Sequence, residues 1–203
     1  MFDQTNHESP SALRLAFLLA VTLVCAEPAH AHTAETSSGL LSGLSHPITG
    51  WDHVLAMVAV GLWGTFLGKP AIWMLPVLFP MVMAVGGAIG VVGLPLPGVE
   101  TAIALSSIVL GACIALALRL PLRAALAIVG LFAIFHGHAH GTELPASANP
   151  VAYAVGFVFA TGLLHLSGIA LGALAQWPAG RFAVRVTGTA ISLGGIAFLV
   201  GLT

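Results

Sequence analysis

Six long apolar runs, almost free of charge, dominate this sequence and leave little choice of fold. They lie at about 47–68, 70–93, 99–118, 121–140, 150–175 and 181–202. Each is long enough to cross the ~30 Å hydrocarbon layer of a bilayer as an α-helix. The runs are continuous rather than alternating, which argues against membrane strands. Turn residues separate them: Gly68-Lys69-Pro70, Leu94 to Gly98, Leu120-Pro121, Pro145 to Pro150 and Pro178-Ala179-Gly180. The expected fold class is all-α, a polytopic membrane helix bundle of six transmembrane helices. Composition points the same way, with 58% hydrophobic and 6% charged residues, against about 25% charged in soluble domains. Six Lys and Arg residues cannot build a phosphate-binding surface, so nucleic acid is excluded as a partner.

Residues 1–31 read as a cleavable signal peptide: Arg14 is the positive flank, Leu15 to Val24 the apolar core, Ala29-His30-Ala31 the small-x-small cleavage site. Residues 32–203 then form the transmembrane domain. His32 becomes the first mature residue, a candidate chelator through its amine and imidazole. Cys25 leaves with the leader, so Cys113 is the remaining thiol and reads as a small core residue. Export of the amino terminus places the start of the first mature helix outside. Lys69, Arg119, Arg123, Arg181 and Arg185 then all fall in or beside cytoplasmic loops, as the positive-inside rule requires. Glu100 and Glu143 lie at the outer ends. The expected location is the bacterial inner membrane, multi-pass, with a periplasmic mature amino terminus. Glycine pairs at 64/68, 86/90, 137/141 and 168/172 would let helices approach closely.

Ionisable groups inside such segments are costly, so each is a candidate functional residue. Six of the nine histidines lie in the apolar runs or at their mouths. In His46-Pro47-Ile48-Thr49-Gly50-Trp51-Asp52-His53, Pro47 suits the first turn of a helix and His46 its cap. On one continuous helix His46 and His53 would share a face, two turns apart. Asp52 is placed as a ligand or as a group orienting an imidazole. In His136-Gly137-His138-Ala139-His140-Gly141-Thr142-Glu143, an unbroken helix stacks His136, His140 and Glu143 on one stripe. His138 points elsewhere unless Gly137 and Gly141 let the backbone open. His165 lies about 22 Å along the fifth helix, with Thr161 one turn before it as a hydrogen-bond partner. Glu100 opens the third helix, where it would attract cations. Imidazole with carboxylate suits nickel, cobalt, copper, zinc or iron as divalent ions, while the scarcity of thiols and methionines argues against monovalent copper. Calcium and magnesium prefer all-oxygen shells.

His46-Pro47-x-x-Gly50-x-Asp52-His53, followed by Met57, Val60 and Gly61, resembles the signature of the HupE/UreJ family of nickel and cobalt permeases. Phe135-His136-Gly137-His138-Ala139-His140-Gly141-x-Glu143 is similar to that family's second motif. The resemblance spans the mature chain. It implies uptake of Ni2+ or Co2+ as transported substrate, with no cofactor and no enzymatic step, supplying nickel enzymes such as hydrogenase or urease, or cobalamin. The metal-handling residues in these two motifs are His46, Asp52, His53, His136, His138, His140 and Glu143; Glu100 and His165 join the expected set from their places along the helices, not from the resemblance. Expected partners are a divalent metal ion and the lipid bilayer; a homo-oligomer is compatible with the chain. The alternatives are another divalent metal, or a membrane metalloenzyme built on the same cluster. The zinc-hydrolase motif His-Glu-x-x-His is missing from the sequence.

Overall fold

The computed structural model describes residues 39–144 and 149–202. The expected leader and His32 lie outside the described residues. Seven α-helices follow one another: α1 (Gly39–Thr49), α2 (Trp51–Leu67), α3 (Ala71–Val91), α4 (Val99–Ala115), α5 (Leu122–Thr142), α6 (Pro150–Ala173) and α7 (Pro178–Leu199), with a 3-10 turn at Leu174–Gln176 between the last two. No strand occurs among the described residues. By length and composition α3, α5, α6 with its 3-10 turn, and α7 can each cross a bilayer; α1 and α2 together make a fifth candidate span bent by 80°. The apolar helix α4 is shorter, at 17 residues.

The molecule is apolar outside as well as inside. Trp73, Met81, Phe159 and Phe182 are 57–72% exposed, a surface that water does not tolerate over such an area. It is a membrane protein. Its buried centre is led by Trp63, Phe79, Met57, Leu62, Leu75, Leu110 and Ile114. Cys113 is free and buried, as a core residue should be.

Glycine seams set how closely the helices pack. A Cβ on Gly137 would meet Met83 O, and one on Gly141 would meet Gly87 O; from the other side, Gly86 faces Ile134 O and Gly90 faces His138 O. Thus α3 and α5 touch backbone to backbone through two of the expected glycine pairs. Gly61 against His165 O, and Gly168 against Val58 O, do the same for α2 and α6. Van der Waals contact of this kind holds helices together where no hydrophobic force acts between them.

The first expected span differs in detail. Pro47 does not open a helix. It lies inside α1, and the break falls at Gly50, whose extended backbone (φ −90°, ψ 106°) begins α2. The chain upstream is helical because it packs on α6: Gly43 lies against the Tyr153 backbone, and Gly39 and Gly156 complete the seam. Tertiary contact overrides the local preference of proline for a first turn. His46 and His53 therefore sit on two helices across the bend, not two turns apart on one. The last helix also starts three residues earlier than its apolar run, because Pro178 takes its first turn.

Candidate metal centre

The bend turns the end of α1 and the start of α2 toward the end of α5. His46 Nε2 lies 3.0 Å from His140 Nδ1 and 3.2 Å from Glu143 Oε2. His140 Nδ1 and Glu143 Oε2 are 3.7 Å apart. These three side chains can each offer one ligand atom to a common ion. With metal–nitrogen bonds of about 2.0–2.1 Å, neighbouring ligand atoms stand roughly 3.0 Å apart in an octahedral shell and roughly 3.4 Å in a tetrahedral one. The observed triangle already has that size. The carboxyl-terminal ends of α1 and α5 both face it, so their carbonyl dipoles favour a cation. Glu143, half-exposed beyond the last turn of α5, is held well below the ordinary carboxylate range, at about 2, by His140 and His46. The hydrogen bond runs to the nearer His46; His140 acts across the longer gap.

The cluster continues inward. His140 Nε2 is 3.0 Å from His53 Nδ1, and the His53 and His136 rings are 5.5 Å apart, centroid to centroid. Phe79 lies against His136 at 5.5 Å and against His165 at 5.7 Å. Exposure falls along the series: 54% for Glu143 and 29% for His46 as side chains, 15% for His140, then 2%, 1% and 2% for His53, His136 and His165. The groups thus form a staircase from the surface to the dry interior.

Hydrogen bonding fixes where the protons sit. A backbone carbonyl only accepts, so His136 Nδ1 donates to Phe132 O at 3.0 Å, and His165 Nδ1 donates to Met57 O at 2.9 Å. Both Nε2 atoms then carry lone pairs, and both are buried with no partner. Imidazoles tethered in this way are oriented as metal ligands usually are. In the outer part, ionised Glu143 accepts from His46 Nε2–H; the same hydrogen faces His140 Nδ1. His140 Nε2–H then donates to His53 Nδ1, leaving His53 Nε2–H as a buried donor without a partner. Buried polar atoms without partners are costly, and three imidazoles share that cost at one place.

The remaining candidates fall elsewhere. Asp52 Oδ1, in the first turn of α2, accepts from the His53 amide at 2.8 Å; its charge also acts on His136 and His140. The α5 helix runs unbroken through Gly137 and Gly141. His138 therefore faces away from the cluster, and its Nε2 donates to Leu94 O at 2.8 Å, anchoring the α3–α4 loop. Glu100 lies exposed in the first turn of α4, with no ion-pair partner among the described residues. Thr161 Oγ1 is buried without a partner, so it does not bond His165. Phe157 escaped the sequence reading, although its ring packs on His46, His53 and His140 at 6.1, 5.4 and 4.6 Å. One aromatic among many on an apolar helix gives no signal of that role. A cavity of about 220 Å³ between α3, α5 and α6 reaches His140, walled by Met83, Gly87, Tyr153 and Phe157.

Comparison with known proteins agrees with the motifs that line this centre. Residues 19–198 match the family described as HupE / UreJ protein. The chain belongs to the HupE/UreJ family. It is also 49% identical over 173 residues to "Protein HupE" of Rhizobium leguminosarum bv. viciae, covering 85% of this chain and 91% of that relative. No solved structure matches the chain.

Proposed function

We propose that this HupE/UreJ protein is a secondary permease that carries Ni2+ or Co2+ inward across the bacterial inner membrane, performs no chemical reaction, and supplies metal to nickel enzymes or to cobalamin. In this reading the bent α1–α2 pair and the short α4 join the other four helices as six spans. The basic loops face the cytoplasm and the His46–His140–Glu143 triangle faces the periplasm. The observation that carries the proposal is the staircase of ligands, in which exposure falls from Glu143 to His165 while lone pairs remain free at the buried end.

An ion from the periplasm is captured by Glu143, His140 and His46. Capture requires the His46 ring proton to move from Nε2 to Nδ1, because a metal takes the lone pair of a neutral imidazole. The ion then exchanges onto His53 and His136, whose rings adjoin, and passes Phe79 to His165. Asp52 supplies negative charge close to the buried imidazoles and lowers the cost of placing a dication there. A membrane potential of 100 mV favours inward movement of a dication by about 4.6 kcal/mol. That sustains a roughly thousandfold gradient at about 1.4 kcal/mol per decade, so no nucleotide engine is needed.

The decisive experiment is flux of radioactive nickel into proteoliposomes holding the purified chain, with an inside-negative potential imposed. Saturable uptake that disappears in Asp52→Ala/His53→Ala is expected. Equal accumulation in that double variant would overturn the reading.

A further inference from the structure

The ends of the helices opposite the histidines enclose a different kind of site. The carboxyl-terminal ends of α2 and α4 and the beginning of α7 surround a pocket of about 600 Å³ lined by Phe66, Ala117, Arg181, Phe182, Arg185 and Val186, among others. Arg185 Nε donates to Ala115 O at 2.8 Å. This bond holds the guanidinium at the rim, and among the described residues no hydrogen bond engages its two terminal nitrogens. Arg119 lies over the Phe66 ring, 5.3 Å from its centroid, which brings a third cation to the same wall. Among the described residues no carboxylate pairs with any of the three arginines. Apart from Thr189 the pocket's other walls are apolar side chains, and two of them, Phe182 and Val186, are 72% and 49% exposed. They continue onto the exposed apolar face of α7 through Leu193, Ile196 and Leu199.

We propose that this pocket binds the phosphate headgroup of an anionic phospholipid, with the acyl chains lying along Phe182 and the outer face of α7. The inference rests on the membrane-spanning reading but not on the metal. Unpaired guanidiniums match a phosphate diester in charge and in bidentate geometry. The apolar wall continuous with the spanning face of α7 selects a lipid over a free anion. Basic pockets between spanning helices at a cytoplasmic surface are suited to such headgroups, and each basic residue there contributes a factor of about five in affinity.

The test uses the full chain, purified in neutral detergent and titrated with phosphatidylglycerol, phosphatidylcholine or inorganic phosphate while thermal unfolding is followed. Phosphatidylglycerol alone should raise the midpoint in a saturable way. In Arg181→Gln/Arg185→Gln the half-saturating lipid concentration should rise about 25-fold (two factors of about five). Arg185→Lys should fall in between, because it keeps the charge but loses the Ala115 contact. An equal midpoint without lipid shows that the variants fold. An unchanged half-saturation in the double variant would overturn the proposal. So would equal stabilisation by phosphatidylcholine or by inorganic phosphate. Nickel flux measured with the parental chain after reconstitution separates the two claims: no phosphatidylglycerol response with intact flux sinks only this site, and the reverse sinks only the transport reading.

Discussion

His140 is the one side chain that belongs to both halves of the staircase, so His140→Ala is the sharpest perturbation. It removes a corner of the outer triangle and also the partner of His53 Nδ1. Four-ligand zinc sites in small peptides bind with about 10–16 kcal/mol, or roughly 3 kcal/mol per ligand. Loss of one ligand in three should therefore weaken nickel binding about 100-fold at 1.4 kcal/mol per decade. Separately, His53 is 2% exposed, and an imidazole nitrogen left unpaired there costs about 1–3 kcal/mol. The variant should thus lose affinity by calorimetry and also unfold at a lower temperature. Glu100→Ala is the control: this carboxylate is exposed and has no ion-pair partner among the described residues, so both readouts should stay at the parental value. If His140→Ala binds nickel as tightly as the parent, the triangle is not the capture site, whatever happens to the unfolding temperature.

Three further outcomes follow from the geometry. His165→Leu leaves the outer triangle intact, so the half-saturating nickel concentration for uptake should hold while the maximal rate falls at least tenfold; an equal rise in half-saturation would place His165 in capture instead. With a carboxyl held at about 2 rather than the ordinary 4.5, Glu143 keeps its charge down to strongly acid conditions, and its favourable contacts are complete above about pH 4.5 and lost only as pH falls toward 2. Glu143 therefore stays ionised throughout pH 7.5 to 5.5, and Glu143→Gln should lower nickel affinity by the same factor at either end of that window; a loss that shrinks at the acid end would show that the carboxylate titrates there. Gly137→Val puts a side chain onto Met83 O and within 2.8 Å of Gly87 N, so α3 and α5 must separate at a cost of about 1–3 kcal/mol or more. Its yield by size-exclusion chromatography should collapse, whereas Gly162→Ala, with open space within 4 Å, should behave as the parent.

The helical class and the two histidine motifs were readable because they are local. Apolar runs define helices in a bilayer regardless of context, and His136, His140 and Glu143 share a stripe by helical spacing alone. The bend at Gly50 was not readable. Pro47 obeys one rule at the start of a helix and another inside it. What decides between them is the contact of Gly43 with the Tyr153 backbone, more than 100 residues away in sequence. The shortness of α4 was hidden in the same way, since its apolar run continues past Ala115 into a turn where Arg185 holds the last carbonyl.

The difference between His136 and His138 shows why spacing alone could not finish the site. Two positions apart on one unbroken helix, they point about 160° away from each other. One therefore meets His53 and Phe79, and the other the Leu94 carbonyl. Residue type gives both the same ligand chemistry; the surroundings of each ring separate them. His136 and His165 have their Nδ1 protons committed to carbonyls and their Nε2 atoms open to the interior. His138 instead commits Nε2 to the loop. A sequence lists donors, but whether a donor is available depends on which carbonyl lies within 3 Å of the opposite ring nitrogen, and that is a property of helix packing. The backbone-to-backbone seam at Gly61 and His165 brings α6 close enough to α2 for Met57 O to orient the His165 ring. The glycine pattern therefore belongs to the metal-handling reading as much as to the fold.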